Sequence, residues 1–373
     1  MKIDFLLGFI CISFLHVQSF ADKNILYIGT GGKNAQGIYK TVFDCTNGKF
    51  SEVKLAAEIG SPNFLTLHPS KSLLFAVAKW EKAAGVIGYK ILEDGSLNEF
   101  TRQSCPDGMG CHLTVHPTGN FLVTAQYGGG SVALFPLDSN GQLLEPIIFE
   151  HTGGSGVSGN RQNSPHPHWC GFSPCGKFLL VPDLGMDQIL IYQVDTEVRN
   201  ISIHGFARAQ AGGGPRHMKF SADGKFIFLL NELSLSVESF AWDAETGKAK
   251  AFFEIPTLSK EEKAGETFNS AAEILVHPSG SWVYSSNRGH DSVSAFRHTR
   301  KGYLELIQKQ PVRGAFPRNI NFSPNAEWLI AAGQESNSIA AHKINPKNGR
   351  LTYQRGAITN VPNPTCLLFL KNL

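Results

Sequence analysis

The chain has 373 residues, with 34 lysines and arginines against 31 aspartates and glutamates, and a formal charge of +3. No run of Lys or Arg marks an electrostatic footprint, so neither nucleic acid nor a membrane is an indicated partner, and a small molecule or a protein is expected instead. The length exceeds a usual domain of about 150 residues, but repeat folds escape that limit and one large domain remains possible.

At the N-terminus, Lys2 precedes an apolar run from Phe5 to Val17, and Ser19-Phe20-Ala21 follows in the small-x-small pattern of a signal-peptidase site. Residues 1–21 are therefore expected to be a signal peptide, the mature chain to start at Asp22, and the protein to be periplasmic or secreted. The apolar run is shorter than the roughly 20 residues needed to span a bilayer. Beyond Cys11 there are six cysteines, at 45, 105, 111, 170, 175 and 366. Export permits disulfides, with Cys105/Cys111 and Cys170/Cys175 the pairs nearest in sequence, but a domain of this size needs no staples, and an unpaired Cys is usually a small buried apolar residue.

One phrase then recurs along the chain: Pro62-Asn-Phe-Leu-Thr-Leu-His-Pro69, Cys111-His-Leu-Thr-Val-His-Pro117, Pro167-His-Trp-Cys-Gly-Phe-Ser-Pro174, Pro215-Arg-His-Met-Lys-Phe-Ser-Ala222, Ala272-Glu-Ile-Leu-Val-His-Pro278 and Pro317-Arg-Asn-Ile-Asn-Phe-Ser-Pro324. A seventh copy opens at Pro364 and is not completed. After each full copy comes a turn, an apolar strand such as Phe121-Ala125 or Trp328-Ala332, and a third strand such as Ser131-Phe135. From His68 through His116, Ser173, Ser221 and His277 to Ser323 the spacings are 48, 57, 48, 56 and 46 residues. That period suits a four-stranded propeller blade, and the short β-branched and aromatic runs between Gly, Asn, Asp and Pro agree.

The expected fold is all-β, a seven-bladed β-propeller over residues 22–373. Asn24-Thr30, Gly37-Phe43 and Phe50-Ala57 resemble the second, third and fourth strands of a blade. They supply what the C-terminal Pro364-Leu370 strand lacks, so both termini share the last blade and no sheet edge is left free.

In a propeller the first strand of each blade lines the central channel. The residue opening each copy reads Asn63, His112, His168, Arg216, Glu273, Arg318 and Thr365. All are polar, and two arginines, two histidines and a glutamate carry more charge than solvation of a channel requires. Connections from second to third strands return to the same rim and bring Trp80, Tyr127, Leu184, Glu232, Arg288 and Gln334. The two long spacings come from insertions at about 150–165 and 258–271 that rise there too, and long loops beside converging charges are typical of a functional face.

Other residues have plainer readings. His68, His116, His277, Asp183 and Asp187 are expected to be structural. His166 and His168 alternate on one side of a strand, but no third ligand has metal-site spacing. Gly128-Gly-Gly130 and Gly212-Gly-Gly214 lack the following helix of a nucleotide cradle, so no cofactor is expected.

Pro165-His-Pro-His168, Asp183-Leu-Gly-Met-Asp187, Gly214-Pro-Arg-His217 with Asn231-Glu232, and Ser286-Asn-Arg-Gly-His-Asp-Ser292 resemble the lactonase-type propellers, which include bacterial 6-phosphogluconolactonases and fungal 3-carboxymuconate lactonising enzymes. The resemblance spans the mature chain and implies an active site at His168, Arg216, Glu232 and Arg288; His112, Tyr127, Glu273 and Arg318, placed around them on the same rim, are expected to bind substrate. These types suit hydrolysis of a sugar-acid lactone: Glu232 or His168 activates water, and the arginines hold the oxyanion and an anionic group. No GxSxG occurs, which favours direct water attack. The alternatives are a muconate-type cycloisomerase that forms lactones and a non-catalytic binding propeller. The chain is expected to act as a monomer on a small-molecule sugar lactone.

Overall fold

In a computed structural model, which describes residues 23–370, the chain forms seven antiparallel sheets arranged as blades. Blade 1 comprises Gly60–Leu67, Leu73–Trp80, Ala83–Ile91 and Leu97–Ser104, and blades 2 to 6 begin at His112, Gly171, Pro215, Ser270 and Pro317. Blade 7 is built from both ends of the chain: Pro364–Phe369 pairs with Lys23–Thr30, with Tyr27 opposite Leu368, and Gly37–Asp44 follows. The ring closes as the repeat arithmetic requires. The expected signal peptide lies outside the described residues, and no helix among those described is long and apolar enough to cross a membrane.

Alternation in the strands explains what holds the ring together. Second strands such as Phe121–Gln126 and Phe178–Asp183 are buried on both faces, so each contributes apolar side chains to two neighbouring interfaces. One buried cluster fills each junction between blades: Phe75 and Val77 of blade 1 pack on Leu122 and Phe135 of blade 2, and Leu26 and Phe43 of blade 7 pack on Trp328 and Ile330 of blade 6. At about 25 cal/mol per Å² of apolar surface removed from water, these junctions are the main source of stability.

The recurring His/Ser of the phrase has a structural use that differs between its two types. His68, His116 and His277 reach into the next blade, placing Nε2 at 2.9, 3.1 and 2.9 Å from the carbonyls of Gly119, Gly176 and Ala326. Ser173, Ser221 and Ser323 instead accept from a backbone N–H of their own blade, at Phe178, Phe226 and Trp328. Neither Cys105/Cys111 nor Cys170/Cys175 is bonded: Cys105, Cys111, Cys170, Cys175 and Cys366 are free thiols, and three of these five are buried.

Candidate active site at the channel mouth

The first strands of blades 1, 4, 5, 6 and 7 each carry an irregularity in their pairing with the second strand. In blade 4, Pro215 pairs with Asn231 and His217 with Leu230; in blade 6, Pro317 pairs with Gly333 and Asn319 with Ala332. Arg216 and Arg318 are the extra residues of these bulges, which re-aim side chains that strict alternation would send elsewhere. Each bulge also presents the following residue to the channel. His217 and Asn319 both bind Glu273, at 3.0 and 2.8 Å, and so define a second layer beneath the arginines.

This layering corrects the sequence register in two blades. Counted back from the His/Ser of the phrase, the position of Arg216 is held by Cys111 in blade 2 and Ala272 in blade 5. Cys111, Asn63, His168, Arg216, Arg318 and Thr365 line the mouth cavity, and Phe64 and His217 also reach it. His112 lies in the lower layer, its ring 4.2 Å from that of Phe64 and 5.4 Å from that of Trp169, with Nδ1 3.5 Å from Cys170 Sγ. Glu273 sits there as well. The seven residues read as one polar ring are thus divided between two levels. Wider open grooves run between blades on the outer surface, one of them lined by Ile25, Lys40, Thr41 and Asp94, but they contain no histidine or arginine cluster.

Around the mouth the charges converge on one carboxylate. Glu232 follows the second strand of blade 4, and its backbone N–H donates to Gly214 O at 2.7 Å. Its Oε2 accepts from Arg216 Nε at 2.8 Å and lies 3.2 Å from Arg288 Nη2, while Oε1 accepts from Arg161 Nη2 at 2.9 Å. Burial alone would raise this carboxyl, but Arg288, Arg216, His168 and Arg161 hold it far below the usual carboxylate range. Arg216 also donates Nη1 to Ala272 O, and Arg288 donates Nη2 to Ala271 O at 3.0 Å, with its guanidinium 5.1 Å above the Phe316 ring. Arg288, placed by sequence on a connection, is the last residue of the strand Trp282–Arg288.

His168 Nε2 lies 3.9 Å from Glu232 Oε2. Burial, reinforced by Arg216, pushes its imidazole well below its ordinary value of 6.5, so it is neutral at neutral pH, with Nδ1 3.8 Å from Cys111 Sγ. Tyr127 stands at the same mouth, its ring stacked on His166 at 4.5 Å and edge-on to His168 at 5.3 Å. Arg318 makes no hydrogen bond or ion pair to a described residue; burial and the neighbouring Arg216 push it down to about 10. Of the other turn residues, Trp80 lies 5.4 Å under Arg102, and Gln334 bonds Asn363; neither joins the cluster.

Sequence reasoning passed over Arg161. It occupies the insertion before His168, at the end of a 3-10 turn, Gly159–Arg161, where no repeat predicts a residue type. The insertion itself was the available signal. Its neighbour Gln162 is fully buried and donates to Leu184 O and to Asp187 Oδ1. Asp187 in turn accepts from Gly212 N and Gly214 N, just ahead of Arg216. Asp183 accepts from the backbone N–H of His166, Gly185 and Met186 and binds His151 Nδ1 at 2.7 Å. The Asp-Leu-Gly-Met-Asp motif thus fixes two strand entries and a loop rather than touching the cavity.

The fold is thus a closed, all-β seven-bladed propeller whose cationic channel mouth, around a buried His and Glu, is the candidate site. Residues 25–369 match the family model described as "Lactonase, 7-bladed beta-propeller". The chain belongs to that family. It is 31% identical to a 6-phosphogluconolactonase of Bacillus subtilis, over 93% of this chain and 99% of that protein. The crystal structure of a putative 6-phosphogluconolactonase from Bacteroides fragilis superposes with a TM-score of 0.86 at 27% identity, covering 94% of this chain and 98% of the other. A periplasmic gluconolactonase of Pseudomonas aeruginosa superposes with a TM-score of 0.85 at 26% identity, covering 94% and 99%.

Proposed function

We propose that the protein hydrolyses a sugar-acid lactone by direct attack of water, with His168, Arg216, Glu232 and Arg288 as the reacting set. The observation that carries this reading is that a neutral buried imidazole and two bound guanidinium groups meet at one carboxylate in the channel mouth.

Both oxygens of Glu232 are engaged by arginines, which makes it a poor acceptor of a proton from water. His168 is the base. As water bonds to the lactone carbonyl carbon, its proton passes to His168, and Glu232 nearby offsets the positive charge that forms on the ring. The carbonyl electrons move onto oxygen, and Arg216 and Arg288 stabilise that oxyanion with donors already fixed by Glu232 and the blade 5 backbone. Collapse of the intermediate breaks the ring C–O bond, and the departing alkoxide takes the proton from His168. Tyr127 and Arg318 line the substrate's approach. His112 and Glu273 support the site from below, Glu273 by holding His217 and Asn319.

Residues 1–21 direct export, so the reaction takes place outside the cytoplasm, a reading supported by the likeness to the periplasmic gluconolactonase of Pseudomonas aeruginosa. The test is acid release at constant pH from a panel of sugar-acid lactones, with spontaneous hydrolysis subtracted and Glu232→Gln as the control. A wild-type rate above background for at least one lactone, lost on the order of a hundredfold in the variant, supports the reading. No rate above background for any lactone favours a binding propeller.

A further inference from the structure

Three guanidinium groups, of Arg161, Arg216 and Arg288, bind one carboxylate, and a fourth, of Arg318, lines the channel mouth with Arg216. In the layer below, Glu273 is matched by Lys219 at 3.6 Å. The mouth therefore has an excess of positive charge that no described residue neutralises, and enclosing such an excess is costly unless a ligand supplies the anion. Arg216 and Arg288 are fixed by Glu232 and backbone carbonyls and turn their remaining N–H groups to the reacting carbonyl, which leaves Arg161 and Arg318 for the rest of the substrate.

Arg161 is the more telling of the two. Its Nη2 is shared between Tyr127 OH at 3.1 Å and Glu232 Oε1 at 2.9 Å, while Nη1 and Nε donate to no described residue. Its side chain is 40% exposed, against 7% for Arg288 and 2% for Arg216, so it alone among these partners of Glu232 faces incoming solute. Its loop is nonetheless pinned. Gln162 Oε1 accepts from Ser158 N and Gln162 O from Gly156 N, and Ser155 N donates to Gly185 O. A donor with free N–H groups, held in place on an anchored loop, is preorganised for a ligand at little entropic cost.

Resting on the lactonase reading, we infer that Arg161 is a specificity-determining residue: it holds an anionic substituent of the lactone, a carboxylate or a phosphate, away from the carbonyl that reacts. A planar fork with free edges suits either oxyanion. Arg318 lines the mouth cavity beside Arg216 and His168 and adds to the positive field.

The experiment compares three lactones of one sugar series: glucono-δ-lactone, which is neutral, a glucarolactone, which carries a carboxylate, and 6-phosphoglucono-δ-lactone. For each, kcat and KM are measured with wild type, Arg161→Gln and Arg161→Lys. The quantity read is kcat/KM for a charged lactone divided by kcat/KM for the neutral one, which cancels any loss through Glu232 or folding. Arg161→Gln is expected to lower this ratio about tenfold or more, through KM, with partial recovery in Arg161→Lys; the charged lactone with the larger drop names the anion. An unchanged ratio for both charged lactones overturns the assignment. If wild type hydrolyses none of the three, the proposed reaction fails, and calorimetric affinities of gluconate, glucarate and 6-phosphogluconate for wild type and Arg161→Gln decide the role of Arg161 by the same ratio.

Discussion

Arg216 Nε donates to Glu232 Oε2 across 2.8 Å, joining the bulged first strand of blade 4 to the turn after its second strand. Because Arg216 Nη1 is also bound to Ala272 O, one planar group serves two partners and keeps its remaining edge for substrate. A lysine keeps the charge but not the fork. Arg216→Lys is expected to lower kcat/KM for lactone hydrolysis on the order of a hundredfold while the protein stays folded by circular dichroism. Near-normal activity would show that the arginine contributes charge alone.

The pH dependence follows from His168. A base must be neutral to accept a proton, and burial with Arg216 nearby depresses this imidazole below 6.5. It is therefore available at every pH above that lowered value, and activity is lost only as pH falls through it. The acid limb of kcat/KM is expected below pH 6.5. A limb at or above 6.5 would mean that the active base is a solvated or charge-stabilised group.

How much of this was legible beforehand depended on repetition. The phrase ending at His68 or Ser173 recurs because every blade needs the same turn, so the blade count and the shared terminal blade followed from spacing. His168, Arg216, Glu232 and Arg288 are legible as a candidate set because they stand at the rim ends of repeated strands and because their motifs resemble those of the lactonase-type propellers. His112 and Glu273 lie one level below the place their spacing implies, because bulges such as those at Arg216, Arg318 and Ala271–Ile274 leave no mark on apolar alternation and blades 2 and 5 carry Cys111 and Ala272 at the position of Arg216. Arg161 belongs to an insertion in one blade, where periodicity gives no information.

Asp183 tests the framework apart from the chemistry. Asp183→Ala leaves the N–H groups of His166, Gly185 and Met186 and the ring of His151 without their acceptor in the interior. A cost of about 3–5 kcal/mol is expected in urea unfolding. A loss below about 1 kcal/mol would show that water replaces the carboxylate.

Gly185 shows how the insertion is seated. A Cβ there would lie 1.8 Å from Ser164 O, so the loop leading to His168 crosses directly over this residue. Gly185→Ala is expected to destabilise the fold by roughly 1–3 kcal/mol and, by lifting the loop, to raise KM for charged lactones. An unchanged thermal midpoint and KM would mean that the loop shifts without consequence for Arg161.

The most direct test of the central claim is the hydrolysis rate of His168→Gln beside wild type, on whichever sugar-acid lactone wild type turns over fastest, with spontaneous opening subtracted and folding verified by calorimetry. The glutamine keeps a polar group near Glu232 but cannot take a proton from water. If His168 activates the attacking water, the rate falls roughly a hundred- to ten-thousandfold. A folded His168→Gln protein that hydrolyses the lactone at the wild-type rate would contradict the account.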